Sequence, residues 1–172
     1  MTAQFKRFIE ESRGVAAIEF SIVMPLLIFT LLGAVSIYDY TRSDRSVSHA
    51  ANTVADLAAR YDKISSVEMT KLKSIAQMLA GDEQAKVIVT NIEFRGGTYR
   101  VVWSEAENTV PITTSDLASM QLPQLGEYNS TIMVSVQKDH SFLFGTHGLN
   151  EAQQAASAFR RPLFVEFINL SP

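Results

Sequence analysis

RGVAAIEFSIVMPLLIFTLLGAVSI, residues 13–37, decides the architecture of this chain. From Val15 to Ile37 the run is apolar, and Glu19 is its one charged residue. It exceeds the roughly 20 residues that a helix, rising about 1.5 Å per residue, needs to cross the hydrocarbon core of a bilayer. A transmembrane helix is therefore expected over residues 15–37. A carboxylate within such a span costs about 2.5–3.5 kcal/mol on insertion scales, so Glu19 asks for a reason. Pro25 removes one backbone donor inside the helix, which predicts a kink or loosened turn near Ser21, with Ser21 as the local group to cover the freed carbonyl. Gly33 and Ala34 add a small patch where another helix can approach.

A cleaved secretory signal fits poorly. Its apolar region would be about 7–15 residues long, and Ala34-Val35-Ser36 is a weak and distant cleavage site. An uncleaved anchor accounts for the length. Lys6, Arg7 and Arg13 before the span favour a cytoplasmic N-terminus, although Arg42 and Arg45 beyond it make that bias modest. The anchor alone leaves Glu19 unexplained.

Composition fits a small anchored protein. Of 172 residues, 47% are hydrophobic and 19% charged, and removing the first 37 leaves roughly 130, enough for one modest domain. A formal charge of −3 and a pI near 5.6 give no general field for nucleic acid, which is not expected as a partner. The absence of cysteine excludes disulfides, thiol catalysis and cysteine-based zinc sites.

Beyond the span, Val47, Ala51, Val54, Ala58 and Tyr61 recur at spacings of three and four, so the helix is expected to continue over 38–60 as an amphipathic stalk. Asp39, Arg42, Asp44, Arg45, Asp56 and Arg60 then fall on a solvated face. Ser65 with Glu68 reads as a capping box opening a second helix, whose stripe is Met69, Leu72, Ile75, Ala76 and Leu79, with Gly81 as its stop. From Ala85 the period becomes two: Ile88, Thr90, Ile92 and Phe94 alternate with Val87, Val89, Asn91 and Glu93, and Gly96-Gly97 turns into a second strand over 98–104. Tyr99, Val101 and Trp103 are expected on one core-facing side of it. A short helix is expected around 115–120, a break at Pro123, a third strand over 131–137 and a fourth over 163–170 opened by Pro162. The alanine-rich stretch 150–159 fits helix or loop. The fold class expected is α+β: a long N-terminal transmembrane helix with its stalk, a second helix and a small antiparallel sheet of about four strands, the globular part being 61–172.

The leader and span together, Arg13-Gly14-Val15-Ala16-Ala17-Ile18-Glu19-Phe20 ahead of an apolar helix, resemble the type IV prepilin processing signal. The Glu19-Phe20 pair is similar to that of the tight-adherence (Tad) branch. Further on, Ile132-Met133-Val134-Ser135-Val136, then Phe142-Leu143-Phe144-Gly145 and Arg160-Arg161-Pro162, resemble TadE-like minor pilins (pseudopilins). Lys138-Asp139-His140 stands where that family suggests an aromatic residue, and the end departs from a terminal Pro-Arg, so TadE-like and TadF-like subgroups both stay open. The resemblance implies a leader peptide over 1–14, a processing site at Gly14 and Val15, and an assembly and register role for Glu19 and Phe20. It further implies prepilin peptidase, the major pilin, other minor pilins, the inner-membrane assembly platform and the lipid bilayer as partners. The location implied is the bacterial inner membrane with a periplasmic C-terminal domain, then pilus tip or cell surface after assembly. The role implied is priming or tipping a Tad pilus, with surface adhesion open and its target unspecified. An unprocessed, membrane-anchored periplasmic scaffold or sensor is the competing class.

No enzyme is expected. His49, His140 and His147 lack the helical two-His spacing of a zinc protease, and no metal or other cofactor is expected. Glu105 and Glu107 have the types of an acid and base pair, but a solvated hairpin end accounts for them. Nucleophile elbows, phosphate-binding glycine loops and dinucleotide fingerprints are absent from the sequence, and Gly96-Gly97 is explained by its turn.

Overall fold

A computed structural model describes residues 12–127, 129–142, 151–165 and 168–171. Helix α1 (Ser12–Ala58) is a single 47-residue element, as the joined apolar and amphipathic periods require. It continues through Pro25. The carbonyl that Pro25 frees is that of Ser21, and the Ser21 hydroxyl does not cover it but donates to Ala17 O at 2.7 Å. At the other end, Leu163 N–H donates to Ala59 O at 2.9 Å, so a carbonyl left over beside the helix terminus finds a partner in the late chain.

Strand β1 (Lys63–Ser65) leads into α2 (Ser66–Ala80). The capping box forms: Glu68 N–H donates to Ser65 Oγ at 3.3 Å, and Ser65 N–H donates to Glu68 Oε2 at 2.8 Å. Gly81 ends the helix in the left-handed region at φ 70°, where a side chain would be strained. Met69, Leu72 and Ala76 are buried, while Ile75 and Leu79 pack partly buried beside them.

Strands β2 (Lys86–Arg95), β3 (Thr98–Glu107), β4 (Asn129–Ser141) and β5 (Glu151–Arg160) form an antiparallel sheet in the order β3-β2-β4-β5. A single 3₁₀ turn, Asp116–Ser119, stands where the short helix was expected. The helices cover one face of the sheet. There Val87, Val89, Ile132, Val134, Val136 and Ala158 meet Val47, Ala50, Ala51, Val54 and Ala58 of α1 and the apolar stripe of α2. The segment after β3 folds across the other face, bringing Ile112 and Leu117 onto Ile92 and Met133.

Three expectations are corrected. The fourth strand of the sheet is the alanine-rich 151–160, not 163–170. Small side chains there let α1 lie close over the sheet, so tertiary packing overrides the weak strand preference of alanine. Among the described residues of 163–170, the strand present is at the end: β6 (Asn169–Ser171) pairs in parallel with β1, apart from the main sheet. Last, Tyr99, Val101 and Trp103 do not share a face. Asn91 pairs with Trp103 and Ile92 with Val101, so Val102 is an extra residue that bulges and turns Trp103 to the helix side. Tyr99 and Val101 remain on the opposite face. Trp103 Nε1 and Asn91 Nδ2 both donate to Ile168 O, at 2.7 and 3.0 Å, which ties the late chain to the sheet.

Candidate functional site: the bare half of the N-terminal helix

α1 enters the core only from Val47 onward. Before that, its large apolar side chains stand free: Phe20 is 60% exposed, Phe29 72% and Ile37 69%. An apolar surface of that length far exceeds the patches that soluble monomers expose, and marks contact with lipid or with other apolar helices. Among the described residues this is the one helix long and apolar enough to cross a membrane.

Gly14 and Val15 lie in the first turn of α1, so their backbone is helical in this structure, and the extended form that a protease requires calls for unwinding of that turn. Glu19 and Phe20 follow one turn later on the bare surface, both exposed. Among the described residues Glu19 has no hydrogen-bond or ion-pair partner. Its carboxylate is thus available to a group outside the chain. Residues 1–11 of the expected leader, His147 and the Leu143-Phe144-Gly145 run lie outside the described residues.

The collar between the bare and buried halves was not legible beforehand. Tyr40 stacks on Phe142 with ring centroids 5.6 Å apart, and the His140 ring sits edge-on to both. Gln154, buried, accepts from Ser43 Oγ at 2.6 Å and donates to Tyr40 O at 2.9 Å, pinning α1 to β5. Aromatic residues at positions 40 and 142 were visible signals, but only the fold joins them. Further along, the Arg160 guanidinium is bound by Asp56 and Asn52 of α1, so Asp56 pairs with the head, whereas a solvated position had been expected.

The carboxylates considered for acid and base work have a structural partner. Lys73 Nζ is 3.1 Å from Glu107 and 3.9 Å from Glu105, which joins α2 to the outer strand β3. His49 is exposed on α1, with Thr53 Oγ1 at 3.4 Å. Among the described residues no group of three His, Asp or Glu side chains gathers as a metal site would require.

Comparison with known families adds one finding. Residues 14–59 match the family model described as TadE-like protein. The chain carries a TadE-like helix. The matched stretch begins at Gly14 and ends one residue past α1, so the TadE-like part comprises the span and the stalk and leaves out the rest of the head. No curated protein and no solved structure matches the chain.

Proposed function

We propose that this chain is a minor pilin of a Tad-type pilus, cut between Gly14 and Val15 by a prepilin peptidase and needed for priming or tipping the filament. Before assembly, α1 anchors it in the inner membrane with the head in the periplasm. Afterwards the same helix packs against the major pilin and other minor pilins, delivered by the inner-membrane assembly platform. Its work is structural and involves no catalysis.

One observation carries this reading: a TadE-like segment that starts at Gly14 runs into a bare apolar helix bearing a single unpartnered carboxylate, Glu19. Cleavage after Gly14 frees the α-amine of Val15, which is cationic near neutral pH. A Glu19 carboxylate from an adjacent subunit then meets that amine where water is scarce. Desolvation offsets much of the attraction, so the pair specifies axial register more than it adds stability. A head on such a helix fits a filament end, where it has room, and crowds a tightly packed shaft.

Intact-mass measurement of the native chain, with and without the peptidase, tests the reading. A chain beginning at Val15 only when the peptidase is present is the expected result. A chain retaining its leader in piliated cells would instead favour the unprocessed anchor. Glu19→Gln should leave the cut intact and lower incorporation into filaments, read by comparing sheared pili with membranes.

A further inference from the structure

Where α1 leaves the span, the head forms a cavity of about 370 Å³ whose walls include Asp39, Arg42, Ser43, Ser46, Lys138 and His140. We propose that this cavity seats the headgroup of an aminophospholipid from the leaflet on the head's side, its phosphodiester against Arg42 and Lys138 and its ammonium against Asp39. The proposal rests on α1 spanning the membrane and is independent of processing.

Depth is the first argument. Asp39 and Arg42 lie about 3 and 7.5 Å along the helix beyond Ile37, at the rise of an α-helix. The headgroup region beyond the hydrocarbon is about 5–8 Å thick on each side, so both residues fall within or just above it. Tyr38, 69% exposed, and the Tyr40 and Phe142 rings lie at the same level, where aromatic side chains favour the interface.

The second argument is which groups remain free. Part of the polar wall is already satisfied: the single Ser46 hydroxyl proton is shared between Ser43 O and Ala80 O, at 2.7 and 3.2 Å, and Ser43 Oγ donates to Gln154. That part is therefore set before any ligand arrives. Lys138 Nζ donates to Ala80 O at 3.1 Å and keeps further N–H groups. Arg42 has no hydrogen bond or ion pair among the described residues, and its planar fork matches two phosphate oxygens.

The third argument selects the headgroup. His140 is 7% exposed, and its Nε2 makes no hydrogen bond and lies 3.7 Å from Asp39 Oδ2. That buried ring backs the Asp39 carboxylate, whose side chain stays 45% exposed toward the cavity. Cation and anion thus share one concavity. Free phosphate would leave Asp39 facing like charge, and an acidic peptide would meet the same repulsion. An ammonium-bearing phosphodiester satisfies both signs.

The full chain, reconstituted in nanodiscs of phosphatidylethanolamine with phosphatidylglycerol, or of phosphatidylcholine with phosphatidylglycerol, is released and weighed by native mass spectrometry. Wild type should retain phosphatidylethanolamine in preference to phosphatidylglycerol, which lacks the cation, and to phosphatidylcholine, whose trimethylammonium has no N–H to donate to Asp39. Arg42→Gln should lower that retention at least fivefold, and Asp39→Asn should erase the preference over phosphatidylglycerol. Arg60→Gln, at the far end of the stalk, should change neither, and Trp103 emission confirms that each variant is folded. Soluble phosphoethanolamine at millimolar concentration should fail to compete, since the acyl chains hold the headgroup in place. Equal retention by wild type and Arg42→Gln, retention without headgroup preference, or displacement by soluble phosphoethanolamine would overturn the proposal. A chain that stays outside the nanodisc would overturn the span, and this site with it.

Discussion

The two halves of α1 share one backbone and face two different surroundings. From Ile18 to Ile37 the apolar side chains are mostly Leu, Ile, Val and Phe, and all but the half-buried Leu32 are bare; from Val47 to Ala58 they are mostly Ala and Val, and Val47, Ala50, Ala51, Val54, Ala55 and Ala58 are fully buried. Lipid asks only for apolar bulk, so large residues serve on every side of the span. The sheet asks for fit. Alanine on α1 meets alanine on β5, which lets the helix lie close over the strands. Head stability therefore depends on the second half, and on the proposed function membrane residence and assembly depend on the first.

Placing the same charge in each half is the strongest way to break that division. Val54→Asp buries an unpaired carboxylate in the core and should cost about 4 kcal/mol or more, enough to unfold the head, as read by urea titration of Trp103 emission in detergent. Leu27→Asp should leave that midpoint unchanged and instead loosen the chain from the bilayer, since the insertion cost is about 2.5–3.5 kcal/mol. Carbonate extraction of membranes reads the second effect. A head destabilised by Leu27→Asp would mean that the halves are energetically coupled.

A gentler pair sharpens the comparison by size alone. Ala158→Leu adds bulk where α1 and β5 close together and should destabilise the head by about 1–3 kcal/mol. Ala34→Leu, on the bare half, should shift the unfolding midpoint by no more than about 0.5 kcal/mol.

Local signals were legible and distant ones were not. The extent of α1, the Ser65 and Glu68 cap, the stop at Gly81 and the turn at Gly96-Gly97 follow from periodicity or from residues within one turn of each other. Strand β5 was hidden because Ala and Gln carry little strand preference, and its place depends on a helix more than 90 positions earlier, as the Arg160 to Asn52 bond, 108 positions apart, illustrates. The side to which Trp103 turns depends on one bulged residue, Val102, which no alternation reveals. Of the candidate site, the long apolar helix that carries Glu19, Phe20 and Pro25 was legible from its unbroken hydropathy. The collar was not, because the Ser43 and Gln154 partners are 111 positions apart.

The Ile168 carbonyl offers a finer probe of the head. Asn91→Ala and Trp103→Phe each remove one of its two donors and should each cost about 0.5–1.5 kcal/mol in hydrogen bonding, apart from changes in packing. Together they leave a buried carbonyl unpaired, so the double variant should lose more than the sum, by about 1 kcal/mol. Thermal unfolding by circular dichroism reads all three, and strict additivity would show that water replaces the donors.

The most local of these effects lies at the start of α2. Ser65→Ala removes the side-chain half of the capping box and should cost about 1 kcal/mol. The Ser65 N–H, and after it the Ser65 hydroxyl, donate to the Glu68 carboxylate and hold its pKa below the usual glutamate range. A pKa depressed by folding contributes stability that is complete above the unfolded value and is lost as pH falls through the folded one. Acid should therefore weaken the head, and Glu68→Gln should flatten part of that dependence while keeping an acceptor for the Ser65 N–H. Asp116, held low by Thr113 in the same sense, should supply a residual slope. In Ser65→Ala the slope should shrink less than in Glu68→Gln, because the backbone N–H is the larger cause and survives the substitution. Urea midpoints from pH 3 to 7 separate the cases: equal slopes in both variants would assign the effect to the hydroxyl instead.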